Sequence, residues 1–418
     1  MAETESPSSS RIVFTFPSFT LFQVARFSIV VATEMQSVAV GWQVYEITKR
    51  PLDLGLVGLA QFLPGILLFL VSGHVADRYD RRKLTTLCYG GFAACSALLL
   101  LLTVRGAHSV YPIYAVLILL GVVRSLNGPV SRALLPQLIP MEHFPSAIAW
   151  ASTVFQCATI LGPSLGGVVY AAFHGPAAVY ALSLVCGITA AFSMLRVHVQ
   201  STARPREPIT LASVFAGFNY IWREKIILGS ISLDLFAVLL GGAVALLPVY
   251  AGEILRTGPR GLGLLRSAPG AGAAVMAVFL AHKPLRRRAG ITMLWCVAGF
   301  GLATIIFGLS RSITLSLVAL FLVGATDMVS VIVRQTLIQV ATPDEMRGRV
   351  NSVDMVFIGA SNEFGQFESG LTAHWFGTVP AVVLGGIGTI AVTGLWAWIF
   401  PQLRKADRLI RTSPGAAL

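Results

Sequence analysis

The chain has 418 residues, of which 55% are hydrophobic and 12% charged, with a net charge of +12. A water-soluble domain carries roughly 25% charged residues to coat its surface, so composition excludes a soluble enzyme or binding module. The five cysteines show no paired spacing and lie in apolar runs, which predicts neither disulfides nor a metal site.

In chain order, a polar, acidic start (MAETESPSSS) precedes the first apolar run, without the basic start and small-residue cleavage site of a signal peptide. About a dozen runs of roughly 20 apolar residues follow, each long enough to cross ~30 Å of hydrocarbon. Their expected extents are 17–45, 52–74, 84–104, 110–130, 146–172 and 176–197, then 226–251, 259–281, 290–310, 313–333, 348–376 and 378–400. With a cytoplasmic N-terminus, the outer connections hold only Lys49, Arg50, Arg105, Arg256, Arg260 and Arg311. The basic excess then lies inside, as inserted proteins require. This predicts an all-α membrane protein with 12 transmembrane helices, both termini cytoplasmic, whose basic residues meet lipid headgroups rather than nucleic acid.

The expected division is a tail (1–16), a six-helix half (17–197), a linker (198–225), a second six-helix half (226–400) and a tail (401–418). In the linker, Leu211, Val214, Phe215, Phe218, Ile221 and Trp222 share one helical face, predicting a helix in the cytoplasmic headgroup layer. The halves repeat. At an offset of 205, Val44-Tyr45 meets Val249-Tyr250 and Pro64-Gly65 meets Pro269-Gly270. At 203, Gly121 meets Gly324, Pro140 meets Pro343, and Gly162 and Gly167 meet Gly365 and Gly370. Parallel repeats of this length mark a duplicated bundle, pseudo-symmetric by descent.

Three stretches carry a family likeness. Gly73-His74-Val75-Ala76-Asp77-Arg78-Tyr79-Asp80-Arg81-Arg82-Lys83 lies between spans two and three, Arg124-Ser125-Leu126-Asn127-Gly128 in span four, and Gly162-Pro163-Ser164-Leu165-Gly166-Gly167 in span five. The chain resembles the major facilitator superfamily over essentially its whole length. The first stretch departs from the family pattern in having Asp80 where Gly is usual, the second in having Asn127 for Gln. Pro343-Asp344-Glu345-Met346-Arg347-Gly348-Arg349-Val350 makes it similar to the branch of the enterobactin exporter and the drug–proton antiporters. The resemblance implies a secondary active exporter of a hydrophobic or amphipathic small molecule, a siderophore or a drug-like compound, working as a monomer in a cell membrane in exchange for protons. A proton-coupled importer of a small metabolite and a multispan membrane enzyme are the alternatives. No catalytic cluster, metal set or nucleotide-binding string is present, so an enzyme and a cofactor are not expected.

Within this frame the loop is expected to be a gate. The start of span eleven presents a positive helix end beside Arg347 and Arg349, and Asp77 can bind it. Gly73 permits close approach and Arg78 acts with Asp77, while Arg81, Arg82 and Lys83 assist or merely anchor the loop on the positive side. Gly162, Pro163, Gly166 and Gly167 are expected to thin and bend span five, as a hinge or as membrane packing. Charges inside spans are costly unless paired or hydrated. Those expected in coupling or in the substrate cavity are Arg26, Glu34, Arg124, Asp234, Asp327, Glu363 and Glu368; Asp354 is a further charge in span eleven. Since Asp327 stands in register with Arg124, the two are expected to form an inter-half ion pair, with Arg26 and Asp234 as a weaker second pair; the alternative is ion pairs within one half that merely neutralise each other. Glu34 is the first choice of proton carrier. Trp42, Trp375, Trp396 and Trp398, near span ends, are expected to anchor at the interface.

Overall fold

In hydrocarbon a backbone must satisfy its own hydrogen bonds, and the helix does so within one segment. The computed structural model describes residues 12–68, 72, 75, 78–106, 109–199, 211–283 and 288–405, and no strand occurs among them. The helices are α1 Pro17–Thr48, α2 Pro51–Leu67, α3 Arg81–Val104, α4 Tyr111–Leu134, α5 Phe144–Ala172, α6 Ala177–Leu195 and α7 Leu211–Arg223. After them come α8 Lys225–Leu240, α9 Gly258–His282, α10 Ala289–Leu309, α11 Ile313–Ala341, α12 Asp344–Phe376 and α13 Thr378–Ile399. Nine described helical stretches are long and apolar enough to cross a membrane.

Two compact units make up the chain. The first comprises Met1–Gln43 and Ala60–Ile209, the second Val44–Leu59 and Thr210–Leu418. In the first unit, Gly121 of α4 lies so close to the Gln61 carbonyl and Pro64 of α2 that no β-carbon fits. In the second unit, Gly324 of α11 lies equally close to Pro269 of α9. The two contacts are the same contact, because Pro64 and Pro269 are also in register. A second pair repeats the lesson. On α5, Gly162 packs on Val31 and Glu34 of α1, and on α12 Gly365 packs on Val238 and Leu239 of α8. Between lipid-bathed helices, small residues at such crossings let dispersion contacts replace the missing hydrophobic drive.

The structure corrects several sequence expectations. The apolar run 226–251 is not one helix: α8 stops at Leu240, and the chain passes through a 3-10 turn (Ala243–Leu246), a short helical turn (Leu247–Val249) and a π turn (Tyr250–Ile254). Gly241 and Gly242 cause the break, since they combine poor helix propensity with tight packing on Phe300 and on the Gly365 backbone. Helix α11 continues past residue 333 to Ala341, carrying Arg334 into the helix. Trp42 is buried, and Trp396 donates its indole N–H to the Ser232 hydroxyl at 2.9 Å, so both pack rather than anchor. Trp375 and Trp398 are exposed. The linker helix α7 forms with Phe218 and Trp222 stacked on its open side, but Ile221 is buried with Ile227, Ile338 and Val350, and Gly217 abuts the Arg349 backbone.

Filling the α9–α11 crossing should therefore cost stability. Gly324→Leu is expected to lower the thermal midpoint in detergent by an overpacking penalty of about 1–3 kcal/mol, whereas Gly348→Ala, with nothing within 4 Å of its added β-carbon, should leave it unchanged or raised. Equal behaviour of the two variants would contradict the packing account.

Candidate functional site

In the loop, the central expectations Gly73 and Asp77 lie outside the described residues. Arg78 is exposed. The unusual Asp80 is the N-cap of α3, its carboxylate accepting from the Lys83 backbone N–H at 3.1 Å; a free first-turn donor is satisfied there by a side chain. Arg81 and Arg82 do more than hold the positive side. Arg81 donates to the Ala133 carbonyl at 3.3 Å and Arg82 to the Leu195 carbonyl, so the two cations cap the C-terminal ends of α4 and α6. In the second unit Arg347 does the same for α11, its Nε donating to the Gln339 carbonyl at 3.2 Å. Arg349 reaches the Met346 sulfur.

Span-five glycines Gly162 and Gly166 lie against the α1 backbone, Gly166 with its β-carbon position 2.8 Å from Met35 Cα. Pro163 and Gly167 are buried in the same helix, which runs unbroken through them. Glu34 therefore sits on the exporter-like glycine string itself, at the register position that Leu239 fills in the second unit. Arg124 is exposed and donates to Gln61 Oε1 at 3.1 Å, and the Arg26 guanidinium lies 5.6 Å from the Phe155 ring centre.

The second unit holds the strongest electrostatic feature. Arg334, 2% exposed, donates from Nη1 to Asp354 Oδ1 at 2.6 Å and faces Asp234 Oδ2 from Nη2 at 3.3 Å. One guanidinium thereby joins α8, α11 and α12. Arg334 was not among the intramembrane charges expected from the sequence, because it lies one residue beyond the expected extent 313–333. A signal was present: Arg334 follows Asp327 by seven residues, two helical turns, on the same face. Asp327 and Asp234 line a common small cavity with Ser330, Thr326, Val297 and Phe300.

Beside it, a larger cavity of about 260 Å³ is walled by Phe300, Phe307, Leu320 and Val323, by the broken chain at Gly241–Val244, and by Asp327, Asn362 and Gln366. Span eleven's acids have local partners: Glu363 accepts from Gln366 Nε2 at 3.2 Å, and Glu368 accepts from the Thr372 hydroxyl at 2.7 Å. Within the same unit the Tyr45 hydroxyl donates to Glu253 on the π turn, a contact the sequence gave no reason to expect.

Long apolar helices and, within the second unit, a mainly apolar cavity with a few polar groups suit a small-molecule carrier. Residues 12–413 match the family of transmembrane secretion effectors. The chain belongs to this family of major facilitator transporters. It is 27% identical over 408 residues to the enterobactin exporter of Citrobacter koseri, covering 97% of each chain. It is 27% identical over 395 residues to that of Shigella boydii serotype 4, covering 94% of each. In fold it resembles a crystallised peptide transporter of the POT type, with TM-score 0.73 and 12% identity over 96% of this chain and 100% of the other. The family is one of carriers, not enzymes; its substrates are small molecules, and this chain is a multi-pass protein of the bacterial inner membrane.

Two changes test the local accounts. Arg334→Met strands two buried carboxylates, and breaking a buried ion cluster from one side costs about 3–5 kcal/mol; the variant should show a large fall in unfolding midpoint or fail to accumulate. Asp80→Ala should cost about 1 kcal/mol, the usual worth of an N-cap, read as a small midpoint shift with the helix content intact.

Proposed function

We propose that the protein is a secondary active exporter that moves an amphipathic small molecule, a siderophore of the catecholate type or a drug-like compound, out of the cell in exchange for protons. The observation that carries this reading is the cavity of the second unit. Its aromatic and aliphatic walls suit a flat apolar body, and Asp327, Asn362 and Gln366 supply convergent polar groups for hydroxyls. The near full-length likeness to enterobactin exporters supports the substrate class.

The carrier is taken as a monomer of 12 transmembrane helices with both termini in the cytoplasm. It comprises six-helix halves at 17–197 and 226–400, a linker at 198–225, and tails at 1–16 and 401–418. The halves expose the substrate alternately to the two sides of the membrane. The loop 73–83 with Arg347 and Arg349 is the inner gate, and the glycines of α5 keep the α1–α5 contact smooth as it works. Glu34, Arg26, Arg124, Asp234, Asp327, Glu363 and Glu368 are the groups from which substrate contacts and proton coupling are drawn.

Reconstituted into liposomes with a pH gradient, the protein should move enterobactin or a lipophilic dye against its concentration gradient, with substrate-dependent proton flow the opposite way. Transport that ignores the gradient, or runs inward with protons, removes the antiport reading. Asp327→Asn should reduce proton-driven export by about tenfold or more, an effect of about 1.4 kcal/mol, while the protein still reaches the membrane.

A further inference from the structure

We propose that a groove between α9 and α11 binds one anionic phospholipid, an acyl chain lying in the groove and the headgroup phosphate resting on Arg260 and Arg311. Leu264, Ser267, Ala268 and Ala271 of α9 line it, facing Val318 and Phe321 of α11, and it offers about 380 Å³. At roughly the 30 Å³ that a water takes up in the liquid, that is room for about a dozen methylene-sized groups. The groove lies beside the crossing where Gly272 meets the Phe321 carbonyl and Gly324 meets Pro269.

Small residues make the space. Ser267, Ala268 and Ala271 occupy places that, at the 205 offset, hold Phe62, Leu63 and Ile66 in α2. Ser267 donates its hydroxyl to the Gly263 carbonyl at 2.9 Å, so the wall presents carbon. Leu264 and Val318 are 48% and 51% exposed, which leaves the groove open to whatever surrounds the helices. In a bilayer that surrounding is hydrocarbon. Water would find no polar partners in the groove, and an unfilled groove forfeits dispersion contacts along its walls. An acyl chain is therefore the occupant that the solvent itself supplies.

Charge selects the headgroup. Arg260, Leu264, Ser267, Ala268 and Ala271 follow helical spacing on one face of α9, so Arg260 stands at the N-terminal end of the groove's own stripe. Arg311 precedes Val318 by seven residues, about two turns, just before α11 begins at Ile313. Since α10 leads the chain back, α9 and α11 start on the same side of the membrane. Both arginines are exposed, and neither has a carboxylate partner among the described residues. Basic residues are scarce on the expected outer side, and the three in its second-half connections, Arg256, Arg260 and Arg311, all gather at the starts of these two helices. Positive charge there runs against the inside preference, and a phosphate, which guanidinium groups bind through paired hydrogen bonds, gives it a use. At the register of Arg260 the first half has Gly55, so that half carries neither the small residues nor this cation. Which leaflet supplies the lipid rests on the topology proposed above; the site does not.

The test is native mass spectrometry of the full chain released from detergent, titrated with phosphatidylglycerol or with phosphatidylcholine of the same chains. A cationic side chain near a membrane surface favours an anionic lipid by about fivefold, so wild type should prefer phosphatidylglycerol at one site by about 25-fold. Joint Arg260→Gln and Arg311→Gln substitution should abolish that preference, whereas Arg105→Gln, in an outer connection of the first half, should keep it. Joint Ala268→Phe and Ala271→Phe substitution, which restores the bulk found in α2, should remove the site for both lipids. The lipid-free thermal midpoint reports folding, and a filled variant that fails to fold is replaced by Ala271→Leu alone. Equal binding of the two lipids to wild type would overturn the site, as would a preference that survives both sets of substitutions or one that Arg105→Gln removes as well. A protein dimer abolished only by the filled variant would overturn it too, since the groove would then belong to a second copy of the chain.

Discussion

Lipid gives two apolar helices no reason to leave it for each other, so their apolar contacts have to be won by shape. The glycine crossings meet that constraint. Gly121 of α4 against α2 and Gly324 of α11 against α9 bring main chains within reach of each other, as do Gly162 of α5 against α1 and Gly365 of α12 against α8. At that separation many weak dispersion contacts act together, and the carbonyls that a side chain would have covered become part of the packing surface. The duplicated register places the same crossings in both halves of the sequence, so the scaffold is conserved in form even where its chemistry has diverged.

The chemistry diverges at the charges. In the first unit, the register position of Asp327 is Arg124, held by Gln61. In the second, Asp327 belongs with Asp234, Arg334 and Asp354, a cluster with no counterpart in the first, where Ser131 and Ala151 occupy the places of Arg334 and Asp354. A guanidinium buried among three helices costs several kcal/mol in desolvation and repays it only through close, multiple partners. Such a cluster is a poor choice for stability alone, since well-packed aliphatic residues would serve as well. Its location against the cavity gives it a purpose.

Much of this could be read from residues alone. The long apolar runs and the offsets of the paired glycines and prolines disclosed an all-helical bundle with a repeated packing pattern, because each reflects a strong, local physical rule. The site was legible only in part. Asp234 and Asp327 stood out as acids in apolar runs, but Arg334 was hidden by ending a span at the first charged residue, although helices carry charge inward when partners wait there. Arg81 and Arg82 looked like topology anchors because a sequence shows charge and not reach; their bonds to the ends of α4 and α6 depend on a fold the string does not display. Asp80 looked like damage to a motif and is a helix cap. The break in span seven escaped notice because Gly241-Gly242 is a common pair in membrane helices, and only its packing against Phe300 and Gly365 makes the helix end there.

That break changes what the cavity is made of. A helix leaves its last carbonyls without partners of its own, and here the chain from Gly241 to Val244 forms part of the wall. Irregular main chain at membrane depth is tolerated where it borders a cavity. Some of the wall's polarity therefore belongs to the peptide bond itself, identical whatever residue is written there. Such a surface accepts hydrogen-bond donors without caring which molecule bears them, and it drifts little as side chains change. A lineage of carriers built on it could alter its cargo by repainting the aromatic side of the cavity while the polar side stayed as it was.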